Sequence, residues 1–342
     1  MKIAINGFGR IGRIFLRSIL TRPDIQVVAI NDLTDTQTLA HLFKYDSVHR
    51  GFKGTVDFDA DNIFINGQQI KVLAQRDPLT LPWKELDIDV VIESTGKFTS
   101  KEGAEKHLAA GAKQVIISAP STDKSVPTVV LAVNDDEVDL SSPILSNASC
   151  TTNNVAAMVK ILDENWGIID GYITTVHSMT GDQSLHDMPH KDLRRARAAS
   201  ASIIPTTTGA AKAITAIFPH LEGRLGGAGI RVPVLNGSLT DFTCSLKKQP
   251  TIAQINLAFK QAADGPMKNV LEYTEDSIVS TDILDNTHSC IFDAQLTSIV
   301  GGLVKVVGWY DNEMGYSSRL ADLVEKLARI KKVNPGIRLY FL

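Results

Sequence analysis

The chain has 342 residues, 44% hydrophobic and 21% charged, with a formal net charge of −3. That length accommodates two domains with separate cores, and the composition is that of a globular protein rather than a disordered one. The slight negative balance gives no electrostatic reason to expect nucleic acid as the main partner or an anionic membrane surface, and no apolar stretch approaches the ~20 residues of a membrane span.

Residues 2–6 read as a strand, so no secretory leader is expected. Gly7-Phe8-Gly9-Arg10-Ile11-Gly12 follows directly as a G-x-G-x-x-G and opens a helix carrying Ile11, Phe15, Leu16 and Ile19 on one face. Gly7 permits the tight turn, Gly9 admits a pyrophosphate against the backbone, and Gly12 lets helix and strand pack closely. The helix N-terminus then donates to the phosphate. A second strand, 26–30, ends in Asn31-Asp32. Asp32 lies about 20 residues past the last glycine, where a carboxylate takes the adenosine ribose hydroxyls and repels a 2′-phosphate; the expected cofactor is NAD, not NADP. Near-continuous apolar runs at 90–96 and 114–118, ending in small polar residues, read as buried parallel strands with a helix over 101–110 between them. The pattern predicts a doubly wound α/β domain.

Cys150 sits in Ser146-Asn147-Ala148-Ser149-Cys150-Thr151-Thr152-Asn153-Asn154, between a strand end and a run with Val155, Met158, Val159, Leu162 and Trp166 at helical spacing. Ser149 is a fitting N-cap, which puts Cys150 in the first turn, where unpaired N–H groups and the helix dipole favour a thiolate. Hydroxyl and amide side chains crowding one thiol make a poor core and a good anion site. Beyond it, longer strands at 172–176, 229–234, 238–247, 289–292 and 303–310, with a helix at 252–263, predict an α+β domain on a mostly antiparallel or mixed sheet. His177 ends the first of these strands and is the best partner for Cys150. The polar loop 179–201 is long enough to be functional. His186 and His190 have i, i+4 spacing, but Pro189 between them favours solvated loop residues, and no metal site is expected. Arg194, Arg195 and Arg197 lack aromatic interleaving and suit anion binding or subunit contacts. Cys150, Cys244 and Cys290 are far apart with no C-x-x-C pair, which predicts free thiols in a reducing, cytoplasmic setting.

Together, residues 6–13, the Ser146 to Asn153 segment, His177, Thr206-Thr207-Thr208-Gly209-Ala210-Ala211-Lys212 and Trp309-Tyr310-Asp311-Asn312-Glu313 resemble the phosphorylating, NAD-dependent glyceraldehyde-3-phosphate dehydrogenases of bacterial type. The likeness spans residue 1 to about 331. It implies a Rossmann domain over 1–149 with a helix at about 315–331 packing back onto it, a catalytic and oligomerisation domain over 150–314, and an atypical tail over 332–342. The implied activity converts glyceraldehyde 3-phosphate, phosphate and NAD to 1,3-bisphosphoglycerate and NADH. Cys150 would be the nucleophile and His177 its base, working through a thiohemiacetal and a thioester. Thr180, Arg195 and Arg231 would hold the substrate phosphate. Ser149, Thr151, Thr208 and Gly209 would hold inorganic phosphate. Arg10, Ile11, Asp32, Arg76, Thr95, Ser118 and Asn312 would serve the cofactor beside Gly7, Gly9 and Gly12. The loop 179–201 would build a homotetramer, and its Met188-Pro189 suits NAD-linked members. Erythrose-4-phosphate dehydrogenase is the neighbouring alternative, disfavoured by Thr208-Gly209; a secondary RNA- or protein-binding role is the other. Asn154 stands where the family usually has a second cysteine, and Gly237 where a β-branched residue is usual, which predicts a loosened strand.

Overall fold

The computed structural model of the chain describes residues 1–333. The chain divides into two compact units: Met1–Val129 with Asp135–Ala148 and the chain from Ser317 on, and Val130–Asn134 with Ser149–Tyr316.

The first unit contains β1 (Lys2–Asn6), α1 (Arg10–Ile19), β2 (Gln26–Asn31), α2 (Thr36–Lys44), β3 (Val56–Phe58), β4 (Asn62–Ile65), β5 (Gln68–Leu73), β6 (Val90–Glu93), α3 (Lys101–Ala109), β7 (Gln114–Ile117) and β8 (Ile144–Ser146). They form one sheet in the order β3-β4-β5-β2-β1-β6-β7-β8. β5-β2-β1-β6-β7-β8 are parallel, and β3-β4-β5 add an antiparallel edge that hydrophobic runs in the sequence do not announce. β6 and β7 are buried along their whole length, as expected of parallel strands covered on both faces. In α1 the buried side chains are Ile14, Phe15, Leu16 and Ile19, while Ile11 is half-buried.

The second unit contains α4 (Cys150–Trp166), β9 (Ile168–Ser178), β10 (Ile204–Thr206), α5 (Ala210–Ile217), β11 (Leu225–Val232), β12 (Ser238–Leu246), α6 (Ile252–Asp264), β13 (Leu271–Thr274), β14 (Cys290–Asp293), β15 (Ser298–Val300) and β16 (Leu303–Tyr310). α7 (Met314–Val333) then carries the chain back into the first unit. Lys332 and Val333 therefore end a helix rather than begin a tail, and residues 334–342 lie outside the described ones. The sheet runs β10-β11-β9-β12-β16-β14-β13, with β15 paired to β16. It is mixed: β9 is antiparallel to β12 but parallel to β11. β12 alternates buried and half-buried residues at period two, the mark of a sheet with one face on a core. Asn154 on α4 donates from Nδ2 to the Trp309 carbonyl at 3.2 Å, tying helix to sheet where a cysteine could not. Gly237 has φ +89°, and a Cβ there would lie 2.4 Å from the Ser280 carbonyl oxygen; this position demands glycine and is not a loosened strand.

Candidate active site and cofactor cleft

Ala148, a buried non-glycine residue at φ +55°, turns the chain sharply ahead of α4. That left-handed conformation costs an L-residue about 1–2 kcal/mol. Ser149 caps the helix, its Oγ accepting from Thr152 N–H at 3.0 Å and bonding Thr152 Oγ1 at 2.7 Å. Cys150 is thereby the first helical residue. Its Sγ lies 3.4 Å from His177 Nε2, near the end of β9. The helix terminus alone predicts an acidified thiol. Burial reverses this: desolvation pushes the Cys150 pKa up, against the opposing pull of Arg231 and of the Thr151 backbone N–H. Burial also pushes His177 down to about 3, with the Arg231 guanidinium as the second cause. Cys244 and Cys290 are fully buried; burial pushes Cys244 up to about 12 and Cys290 up as well, so neither is a nucleophile.

His177 Nδ1 has two competing neighbours. It lies 2.8 Å from the Ser178 carbonyl, which only accepts, and 2.5 Å from Arg231 Nη1, which only donates. β9 and β11 pair His177 with Arg231 in register, which brings the two side chains together. The edge of the Tyr310 ring meets the imidazole, with centroids 5.9 Å apart and planes at 77°.

The anion-site residues surround this pair. Arg195 Nη1 donates to Asp182 Oδ2 at 2.8 Å, and Thr180 Oγ1 donates to Asp182 Oδ1. Asp182, which the sequence pattern did not single out, thus occupies the donors of Thr180 and Arg195. Burial raises its pKa, but the Thr180 hydroxyl, Arg231 and Arg195 outweigh that and lower it overall. Arg195 Nε also donates to Thr206 Oγ1 at 3.0 Å. Arg197 pairs with Asp187 at 2.9 Å, so Arg195 and Arg197 are both paired with carboxylates of their own loop. In that loop His190 Nδ1 accepts from Asp192 N–H at 2.9 Å. Gly209 precedes α5 with no atom within 4 Å of a would-be Cβ, and Thr208 Oγ1 accepts from Ala210 N–H at 3.2 Å. Asn312 Oδ1 accepts from the hydroxyls of Ser178 and Ser238, both at 2.8 Å, which turns its amide NH2 into the available group.

In the first unit a cleft of ≈ 320 Å³ is lined by Asn6, Gly7, Gly9, Asn31, Asp32, Leu33, Gln75, Arg76, Ser94, Thr95, Lys97 and Phe98. Of the residues expected at the cofactor, Gly7, Gly9, Asp32, Arg76 and Thr95 line it; Arg10, Ile11, Gly12 and Ser118 do not. The Arg10 guanidinium turns to Asp46, holding that carboxyl at about 2 against the effect of burial. Arg10 is left to meet a phosphate through its backbone. Gln75, Lys97 and Phe98 reach the cleft from loops, a placement that no local motif signals. The lining fits a dinucleotide. Gly7 has φ +93° and a Cβ there would lie 2.7 Å from Thr95 N, while around Gly9 the space is open. No side chain caps α1, so its first N–H groups suit an anion. Asp32 is fixed by Phe8 N–H at 2.8 Å and Thr34 N–H at 3.1 Å.

Residues 1–101 match the family profile described as the glyceraldehyde 3-phosphate dehydrogenase NAD binding domain, and residues 149–312 match its C-terminal domain. The chain is 53% identical over 326 residues to glyceraldehyde-3-phosphate dehydrogenase 2 of Streptomyces avermitilis, covering 94% of this chain and 97% of that protein. It is 52% identical over 330 residues to the glyceraldehyde-3-phosphate dehydrogenase of Geobacillus stearothermophilus (96% and 98% covered). With that of Thermotoga maritima it shares 53% over 332 residues (96% and 99%).

Proposed function

The chain belongs to the glyceraldehyde-3-phosphate dehydrogenase family, and we propose that Cys150 and His177 carry the chemistry of that activity in it. It is an NAD-dependent oxidoreductase acting on glyceraldehyde 3-phosphate. The observation that carries the proposal is the 3.4 Å approach of Cys150 Sγ to His177 Nε2 at the start of a buried helix.

With Nδ1–H donated to the Ser178 carbonyl, Nε2 is bare and takes the thiol proton as sulfur attacks the aldehyde carbon. The carbonyl electrons move to oxygen, where the new Nε2–H and the Cys150 backbone N–H are positioned as donors. The chemistry that the cofactor supplies when bound is hydride acceptance, which turns the thiohemiacetal of Cys150 into a thioester. Thr180, Arg195 and Arg231 hold the substrate phosphate, which competes for these donors with the Asp182 carboxylate. Ser149, Thr151, Thr208 and Gly209 hold inorganic phosphate. Residues 1–149 bind the cofactor and 150–314 the substrate: Asp32 takes the ribose, the Gly7–Gly12 backbone with Arg10 and Ile11 the pyrophosphate, and Arg76, Thr95 and Ser118 add contacts. Asn312 offers its amide to the nicotinamide carboxamide. The exposed apolar side chains Leu185, Met188 and Leu193 in loop 179–201 support assembly into a homotetramer. Among the described residues no helix is long and apolar enough to cross a membrane; the free thiols of Cys150, Cys244 and Cys290 support a reducing, cytoplasmic setting.

Mixing enzyme, NAD and aldehyde without phosphate tests this. About one NADH per chain should form in a burst and stall at the thioester until phosphate is added. Cys150→Ser should still bind NAD but give no burst; a burst in that variant sinks the proposal.

A further inference from the structure

Tyr310 touches no expected ligand, yet its hydroxyl stands between two buried threonines. Thr151 Oγ1 and Thr175 Oγ1 each lie 2.9 Å from Tyr310 OH, and Thr175 Oγ1 lies 3.3 Å from the Leu239 carbonyl oxygen. All three side chains are at most 5% exposed, so water does not supply the missing partners. Three contacts and three protons have one arrangement that satisfies all of them. A carbonyl only accepts, so Thr175 donates to Leu239. Thr175 then accepts from Tyr310, and Tyr310 accepts from Thr151. In this arrangement the Thr151 hydroxyl proton goes to Tyr310, and its oxygen is left with lone pairs. The Thr151 hydroxyl also lies close enough to the Cys150 sulfur to favour a thiolate by donating to it. In the thioester that phosphate attacks, the sulfur is acylated and a weak acceptor, so the phenol oxygen takes that proton.

We propose that Tyr310 is a positioning residue that makes Thr151 Oγ1 a hydrogen-bond acceptor, so that inorganic phosphate is taken with a protonated oxygen against Thr151. The inference rests on the assignment of Thr151 to the inorganic-phosphate site. Hydrogenphosphate carries such a proton at neutral pH; sulfate, of the same shape and charge, carries none and would set lone pair against lone pair. The ordering also selects the attacking atom. An unprotonated phosphate oxygen attacks the thioester carbon, the C–S bond breaks with its electron pair on the Cys150 sulfur, and the P–OH proton stays on the phosphoryl group that leaves as acyl phosphate.

The test is the ratio of the sulfate inhibition constant, measured against phosphate, to the phosphate KM. In the unaltered enzyme it should be about tenfold or more, the cost of leaving a buried polar group unmatched. Thr175→Val lets Tyr310 donate to Thr151 and frees the Thr151 proton for the site, so the ratio should collapse several-fold towards unity. Thr175→Ser keeps the proton order and should keep the ratio. Tyr310→Phe retains the ring against His177 and should lower the ratio as Thr175→Val does. Unchanged ratios in both Thr175→Val and Tyr310→Phe overturn the proposal. Thr151→Val separates the two levels: a phosphate KM that it leaves unmoved removes Thr151 from the phosphate site. A KM that it raises, beside unchanged ratios in the other variants, overturns the proton order alone.

Discussion

Each unit holds a buried histidine paired with a group that can carry a proton, His107 with Glu93 and His177 with Cys150, and the two pairs are built to opposite ends. In the first unit His107 Nε2 lies 3.1 Å from Glu93 Oε2, both side chains being 0% exposed. Trp83 Nε1–H donates to His107 Nδ1 at 2.9 Å, so the ring proton sits on Nε2 and is given to Glu93. Glu93 further accepts from Asn6 Nδ2 at 2.5 Å, from Thr95 N–H at 2.9 Å and from the Thr95 hydroxyl. Every proton there has one place to be. In the second unit His177 Nδ1 faces an acceptor and a donor at once, and Nε2 faces a thiol that can release a proton. The first arrangement holds Asn6 and Thr95 in the cleft lining; the second leaves Nδ1 between two competing neighbours and Nε2 facing the Cys150 thiol. Satisfied networks rigidify, and ambiguous ones react.

The largest expected effect separates them by activity. His177→Gln should lower kcat/KM by about 10²–10⁴ through loss of the proton acceptor while moving the urea midpoint little. A comparable loss of activity from His107→Gln, which keeps a donor for Glu93, would erase the distinction. Next, His107→Ala removes one of the donors to a buried carboxylate and opens a cavity, and should cost about 3 kcal/mol or more of stability in urea unfolding. If the loss is under about 1 kcal/mol, the Glu93 network is not the rigid member of the comparison.

The His177 site was largely legible before any coordinates. A glycine loop, an N-cap and a nucleophile are local: their geometry follows from a few consecutive residues, and Gly7, Ser149 and Cys150 stand where such rules put them. His177 was legible because a polar residue at the end of an apolar strand is rarely there for packing. What was not legible depends on register between distant segments. Arg231 meets His177 through the β9–β11 pairing, Asp182 meets Arg195 across a loop without periodicity, and Tyr310 meets Thr151 from β16. The Glu93–His107–Trp83 network is non-local for the same reason, since each residue reads singly as strand, helix or core. The helix terminus that favours a Cys150 thiolate is visible in sequence, whereas the burial that opposes it is not.

A third effect uses pH. His177 is held at about 3 in the folded protein against an ordinary 6.5, so below 6.5 the unfolded chain takes up a proton that the folded one refuses. The contribution of this histidine to stability is present above pH 6.5 and is lost as pH falls towards 3. At pH 5 the loss attributable to it is about 2 kcal/mol, from 1.36 kcal/mol per unit over the interval. His177→Gln should remove that part of the acid sensitivity, seen as a flatter fall of the urea midpoint between pH 7 and 5. An equally steep fall in the variant would mean that His177 is protonated as easily folded as unfolded.

The smallest effect addresses the fixed pair. Trp83→Phe removes the one donor to His107 Nδ1 and also shrinks a fully buried side chain, so its total cost mixes a hydrogen bond with a cavity. A double-mutant cycle with His107→Ala isolates the bond, because the cavity left by the smaller ring is present whether or not the imidazole is. The coupling should be about 1 kcal/mol, that of a buried neutral hydrogen bond. Near-zero coupling would mean that His107 can turn or change tautomer without Trp83. Its proton would then be as ambiguous as that of His177, and the difference in reactivity between the two pairs would have to come from the partner, thiol against carboxylate, rather than from the number of places a proton can go.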